Sequence, residues 1–160
     1  MTDTSLMTIP HFVRELDSLR AALGYDRIHL LGHSWGTILA FEYYRAHPEH
    51  VVSLTLGSAA LDIPTWERNS RRLVGTLSDS AQSAIRVRAA EQKFDAPDHQ
   101  RAGAGGVPTI RRFASLTPGA TAEVIPGAAH VTTWDNPEVM VRVVRRFLRK
   151  VDAGGGRASN

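Results

Sequence analysis

The sequence predicts an α/β fold, a mostly parallel sheet of about four strands with flanking helices and a shortened helical lid. Three observations predict it. Helical and strand-like patterns alternate from Phe12 to Leu56. A G-x-S-x-G turn, Gly32-His33-Ser34-Trp35-Gly36, joins one such strand to one such helix. A polar, helix-prone stretch without strand-like runs follows from Pro64 to Gln100. The order helix, strand, helix, strand favours parallel pairing, because the intervening helices must cover the faces of the sheet.

The elements follow in order. Phe12, Leu16, Leu19 and Leu23 recur at helical spacing, and Gly24 supplies the glycine that commonly ends a helix. Ile28-His29-Leu30-Leu31 is a short apolar strand. A helix from about Gly36 to Ala46 stops before Pro48. Val51 to Leu56 is a second buried strand. Beyond the glycine-rich joint at 103–106, Val107-Pro108-Thr109-Ile110 and Thr121 to Ile125 are expected to be short strands. Asn136-Pro137-Glu138 reads as a helix start, with a capping amide, proline at the first position and an acid near the positive end. Met140, Val143, Val144, Phe147 and Val151 give that helix its apolar stripe.

Size and composition set bounds. A chain of 160 residues, 42% hydrophobic and 22% charged, is enough for one core and not comfortably for two. There is no cysteine, which removes disulfides, thiolate metal sites and a cysteine nucleophile. No apolar run approaches the roughly 20 residues of a membrane span, so no membrane partner is expected. The first residues lack the basic and apolar regions of a secretory signal, and the expected location is cytoplasmic. The formal charge of +3 is mild. Its basic excess lies on Arg142, Arg145, Arg146, Arg149 and Lys150, read as a solvated helix face rather than a nucleic-acid surface.

The turn at 32–36 carries the chemistry. A serine on a sharp strand-to-helix turn projects its oxygen above the sheet. So tight a backbone is expected to need glycine at both 32 and 36. The helix that follows aims backbone N–H groups at negative charge developing nearby. A serine hydroxyl is a poor nucleophile at neutral pH and needs a base within hydrogen-bond reach.

Three stretches together resemble the α/β-hydrolase superfamily, and within it the proline iminopeptidase branch. They are Phe12 through Thr37, Ala46 through Trp66, and Val124-Ile125-Pro126-Gly127-Ala128-Ala129-His130 with Trp134 and the final helix. The resemblance implies that Ser34 is the nucleophile, His130 the general base, and the Trp35 backbone N–H an oxyanion donor. Trp66 opens the lid and is a candidate for lining the pocket; a plain packing role stands equally open. No metal and no organic cofactor are implied. The substrate class is a small peptide or amide, with release of an N-terminal residue, preferably proline. An esterase or amidase is the nearest alternative. Epoxide hydrolases of this fold carry a carboxylate where Ser34 stands.

The same resemblance implies a shortened member. The family's N-terminal half-sheet, with its His-Gly-Gly-Pro-Gly-like oxyanion loop, has no counterpart here. The family's acid follows the strand that begins as Val107-Pro108-Thr109-Ile110, and here Ile110 runs directly into Arg111-Arg112-Phe113. Residues 1–63 and 101–152 are then the C-terminal half of a hydrolase core, 64–100 a lid remnant, and 153–160 a disordered tail. Asp62 is a candidate substitute acid. Asp135 is read as helping to start the last helix, Asp95 and Asp98 as surface charges, and Glu91 as a solvated helix residue. His29, His47 and His50 carry no catalytic reading, and His33 occupies the variable position of the turn. With no strand before Ile28–Leu31, that strand is expected to form an apolar edge and to promote self-association. A catalytically impaired fragment or binding module is the alternative function.

Overall fold

The computed structural model describes residues 6–59, 63–90, 107–128 and 130–155. Two compact units divide the chain. The first holds residues 1–59 and 144–160, the second residues 60–143.

In the first unit, helix α1 (Ile9–Ala22) begins at Thr8, whose hydroxyl accepts from the His11 N–H at 3.3 Å. It ends through Leu23, and Gly24 takes the left-handed φ of +75° that a side chain resists. Strand β1 (Ile28–His33) and strand β2 (Val51–Gly57) pair in parallel, from Ile28 opposite Val51 to His33 opposite Gly57. Helix α2 (Gly36–Ala46) joins them by way of a 3₁₀ turn at Pro48–His50. It packs on both strands and on α1.

The core of this unit is small. Val13, Tyr43 and Val51 are buried together, with Ile9, Leu16, Ile28, Leu30 and Leu39 packed around them. Burying an aliphatic side chain such as Val13 or Val51 contributes roughly 1.5–3 kcal/mol relative to exposure. Tyr43 is fully buried, and its hydroxyl donates to Asp17 Oδ1 at 2.9 Å. Arg20 Nε donates to the same oxygen at 2.9 Å. These two donors hold the Asp17 carboxyl below its ordinary range, Arg20 contributing most. Burial, with the neighbouring carboxylate, raises the Tyr43 phenol. One carboxylate therefore ties α1 to α2.

The second unit is helical among its described residues. It contains α3 (Ile63–Val74), α4 (Asp79–Ala90), α5 (Val107–Leu116), the short α6 (Thr132–Asp135) and the start of α7 (Pro137–Gly155). Ser78 begins α4, its hydroxyl accepting from the Ala81 N–H at 3.4 Å. Asn136 begins α7 as its sequence suggests: its Oδ1 accepts from the Val139 N–H at 3.3 Å, and its Nδ2 donates to Pro126 O at 2.9 Å.

Four expectations are corrected. The sheet has two strands among the described residues, not about four. Val107–Ile110 opens α5 instead of forming a strand. Val107, Ile110, Phe113 and Ala114 are the half-buried positions, a helical spacing, and Pro108 suits a helix's first turn. Thr121–Ile125 takes no regular structure, and Val124 is 53% exposed. An apolar run becomes a strand only where another strand accepts its backbone hydrogen bonds. Helix α7 also runs through Gly155, three residues into the stretch read as tail (153–160); residues 156–160 lie outside the described set. No helix among the described residues is long and apolar enough to cross a membrane.

Candidate active site

The turn between β1 and α2 is built by backbone contacts. Ser34 has φ +54°, a left-handed conformation that is uncommon for any residue but glycine. Its N–H donates to Gly57 O at 3.0 Å, which extends the β1–β2 ladder one step beyond the strands. Its carbonyl accepts from the Thr37 N–H at 2.9 Å and from Thr37 Oγ1 at 2.6 Å. Thr37 is fully buried. Strain of this kind costs about 1–3 kcal/mol and persists only where the surroundings over-determine it. Here the strand on one side and the buried threonine on the other do so.

The two glycines of the motif are not equivalent. A Cβ at Gly32 would overlap the Gly36 carbonyl oxygen and lie 2.7 Å from its carbon and 2.9 Å from Thr37 Cα. All of these are backbone atoms, so nothing can swing aside. Apart from its chain neighbours and the backbone of its own helix, a Cβ at Gly36 meets nothing within 4 Å among the described residues, and Gly36 has no left-handed φ. The expectation that both flanks exclude a side chain therefore holds only at Gly32. The close approach is one-sided: α2 starts by passing its own first carbonyl over Gly32.

Trp35 stands at the N-terminus of α2, and its indole is 49% exposed. The ring meets Phe12 of α1 edge-on, with centroids 5.5 Å apart. Its carbonyl accepts from the Ile38 N–H at 3.0 Å. The Trp35 N–H itself donates to no acceptor among the described residues. A helix start with an uncommitted N–H beside a serine is a place where negative charge is stabilised.

The remaining sequence-derived candidates are distributed as follows. Ser34 and Trp35 share the turn in the first unit. His130 belongs to the second unit, in the loop just ahead of α6, and is half-buried. Trp66 lies in α3; its side chain is outside the described residues. Asp62, Glu91, Asp95 and Asp98 are also outside them. Asp135 is the exposed last residue of α6, next to the capping Asn136. One feature carries no sign in the sequence. Ser58, which follows the end of β2, is also left-handed, with φ +48°. The register that places His33 beside Gly57 makes Ser34 and Ser58 neighbouring strained serines at one end of the sheet. A lone serine after a strand gives no pattern from which that could be read.

Comparison with known proteins agrees with this geometry. A family model for the alpha/beta hydrolase fold matches residues 2–102. A proline iminopeptidase of Heyndrickxia coagulans is 41% identical over 83 residues, which are 52% of this chain and 29% of that protein. One from Lactobacillus delbrueckii subsp. lactis is 38% identical over 98 residues, 61% of this chain and 33% of that protein. The chain thus spans about a third of the length of the curated relatives it matches. Among solved structures, proline iminopeptidase from Mycobacterium smegmatis superposes with a TM-score of 0.77 at 19% identity, covering 96% of this chain and 75% of that one. The structure of VinJ superposes with a TM-score of 0.73 at 17% identity, covering 94% and 75%. At those identities the likeness is one of fold. The strained serine turn and the family match over residues 2–102 lead to the same conclusion, that the chain belongs to the α/β-hydrolase fold family.

Proposed function

We propose that the chain is a serine hydrolase of proline iminopeptidase type, releasing an N-terminal residue, preferably proline, from short peptides. Ser34 attacks the carbonyl of the first peptide bond. His130 takes the hydroxyl proton and returns it to the leaving amine. The Trp35 N–H stabilises the oxyanion. The observation that carries this reading is the left-handed Ser34, held between a strand and a buried threonine in a turn that only glycine at 32 permits. The names of the similar proteins supply the substrate class.

A fluorophosphonate probe and a proline arylamide test it. Labelling is expected on the peptide containing Ser34, with measurable arylamide turnover. Ser34→Ala is expected to remove that label and to lower turnover by about three orders of magnitude or more, the scale on which nucleophile removal acts in serine enzymes. Turnover that survives Ser34→Ala unchanged overturns the reading.

A specific observation favours a second reading, a catalytically impaired fragment or binding module. The resemblance expects an acid after a strand beginning at Val107, and this segment is helix α5. Losing the acid that orients the histidine costs about four decades in the best-studied serine protease. Folded protein without label or turnover is the outcome that this reading predicts. It also predicts self-association through the sheet, where each strand has one side unpaired among the described residues and Leu31 is 51% exposed. A clean monomer at high concentration in size-exclusion chromatography would contradict that.

A further inference from the structure

We propose that Ser53 is a second nucleophilic serine, activated by His29 and Asp152 and open to acylation by small esters with good leaving groups. The register of the sheet places His29 of β1 beside Ser53 of β2. Ser53 Oγ lies 2.8 Å from His29 Nδ1. On the far side of the ring, His29 Nε2 lies 3.2 Å from Asp152 Oδ1, on the last turns of α7. All three residues belong to the first unit.

The order of partners fixes the protons. An ionised carboxylate only accepts, so the hydrogen sits on Nε2 and is donated to Asp152. Nδ1 then carries the lone pair, and the Ser53 hydroxyl donates to it. This is the acid–imidazole–hydroxyl chain of a serine hydrolase with the two ring nitrogens exchanged. The site is also accessible. The His29 side chain is 32% exposed, Asp152 is 64% exposed, and Ser53 is half-buried.

The surroundings limit the chemistry. Ser53 sits mid-strand, and the His29 ring beside it meets the last turns of α7, whose carbonyls oppose negative charge. Among the described residues, no helix start is placed at Ser53 as one is at Ser34. The site therefore needs an acyl donor whose leaving group is already stable. With p-nitrophenyl acetate, Ser53 Oγ bonds to the carbonyl carbon and its proton passes to Nδ1. The C–O bond breaks, p-nitrophenolate leaves with the electron pair, and the imidazolium releases its proton to solvent. The acetyl group remains on Ser53.

The test uses the full chain carrying Ser34→Ala, so the elbow contributes nothing and the two sites fail or succeed separately. A burst of about one p-nitrophenolate per chain is expected, with the acetyl group found on the Ser53 peptide by mass spectrometry. Adding Ser53→Ala should abolish the burst. His29→Gln should slow acylation about 100-fold, within the usual range for a general base, and Asp152→Asn about tenfold. The pH dependence of the rate should be lost in His29→Gln, an effect that a packing role does not produce. Asp152 is exposed near a helix end, so its variant keeps the test valid if His29→Gln disturbs folding, which circular dichroism reports. Absence of acetyl on Ser53 in folded protein overturns the proposal. So does an unchanged rate in Asp152→Asn, or acetyl trapped on His29 and never transferred.

Discussion

In the first unit, β1 and β2 hydrogen-bond to one another and share α2, the helix that joins them. In the second, the apolar runs at 107–110 and 121–125 have no strand beside them among the described residues. One run takes the helical alternative, because its apolar positions also fit a helix. The other stays irregular and exposed up to the half-buried Ile125. A helix satisfies its backbone within its own segment, whereas a strand takes its ladder hydrogen bonds from neighbouring strands. The elbow depends on this difference, since Ser34 is strained by a turn whose two sides are a paired strand and a packed helix.

The sharpest way to break the elbow without touching its serine is Gly32→Ala. The new methyl group would overlap the backbone where α2 begins, so either the turn opens or the helix moves. A loss of about 3 kcal/mol or more is expected, at the upper end of overpacking effects. Urea unfolding reads it, and the label on Ser34 should fall with it. A neutral substitution would mean that the turn is not held as tightly as its backbone geometry requires.

Arg111→Pro probes the other region with an effect of similar size. Arg111 is exposed in the middle of α5, so only the backbone is at issue. Proline in a helix interior costs about 3 kcal/mol, while an edge strand accepts it readily. Loss of helical ellipticity together with a lower urea midpoint is the expected result. An unperturbed spectrum would return this segment to the strand that its four apolar-rich residues suggest.

These two substitutions also mark how far the fold is legible in the sequence. α1, β1, α2, β2 and the capped start of α7 lie within a few residues of where periodicity, glycine and proline place them. Each is defined by signals inside its own segment, or by pairing with the next strand along the chain. Val107–Ile110 is misread because four apolar-rich residues fit both periods, and only a neighbour decides between them. Within the elbow, the motif identifies the turn, but the unequal roles of Gly32 and Gly36 appear only when the path of α2 is known. The chain from Ser53 through His29 to Asp152 is hidden for the same reason, because its members come from two strands and a distant helix.

Tyr43→Phe tests the helix pair beneath the elbow. It removes a buried hydroxyl that donates to Asp17, at an expected cost of about 1 kcal/mol. The pH dependence follows from the sign of the Asp17 shift. Its carboxyl is held low in the folded state, by Arg20 first and Tyr43 second. The linked stability is complete above the ordinary carboxylate range and is lost as pH falls through the folded value. The penalty of Tyr43→Phe should therefore be largest near neutrality and shrink in acid. Urea titrations at about pH 7 and about pH 3 measure the difference. A constant penalty would assign the effect to packing alone.

Gly36→Ala gives the smallest change and the finest distinction. The position has open space around it and no left-handed backbone, so alanine fits the first turn of α2 without strain. Replacing glycine there lowers the entropy of the unfolded chain and raises helix propensity, for a gain of up to about 0.5–1 kcal/mol. The two glycines of one motif should thus respond with opposite signs, Gly32→Ala destabilising and Gly36→Ala neutral or stabilising. If Gly36→Ala instead costs as much as Gly32→Ala, the close approach is mutual and α2 cannot be the only element crowding the turn. If it is neutral for stability yet lowers labelling of Ser34, the glycine serves access to the hydroxyl rather than the making of the turn.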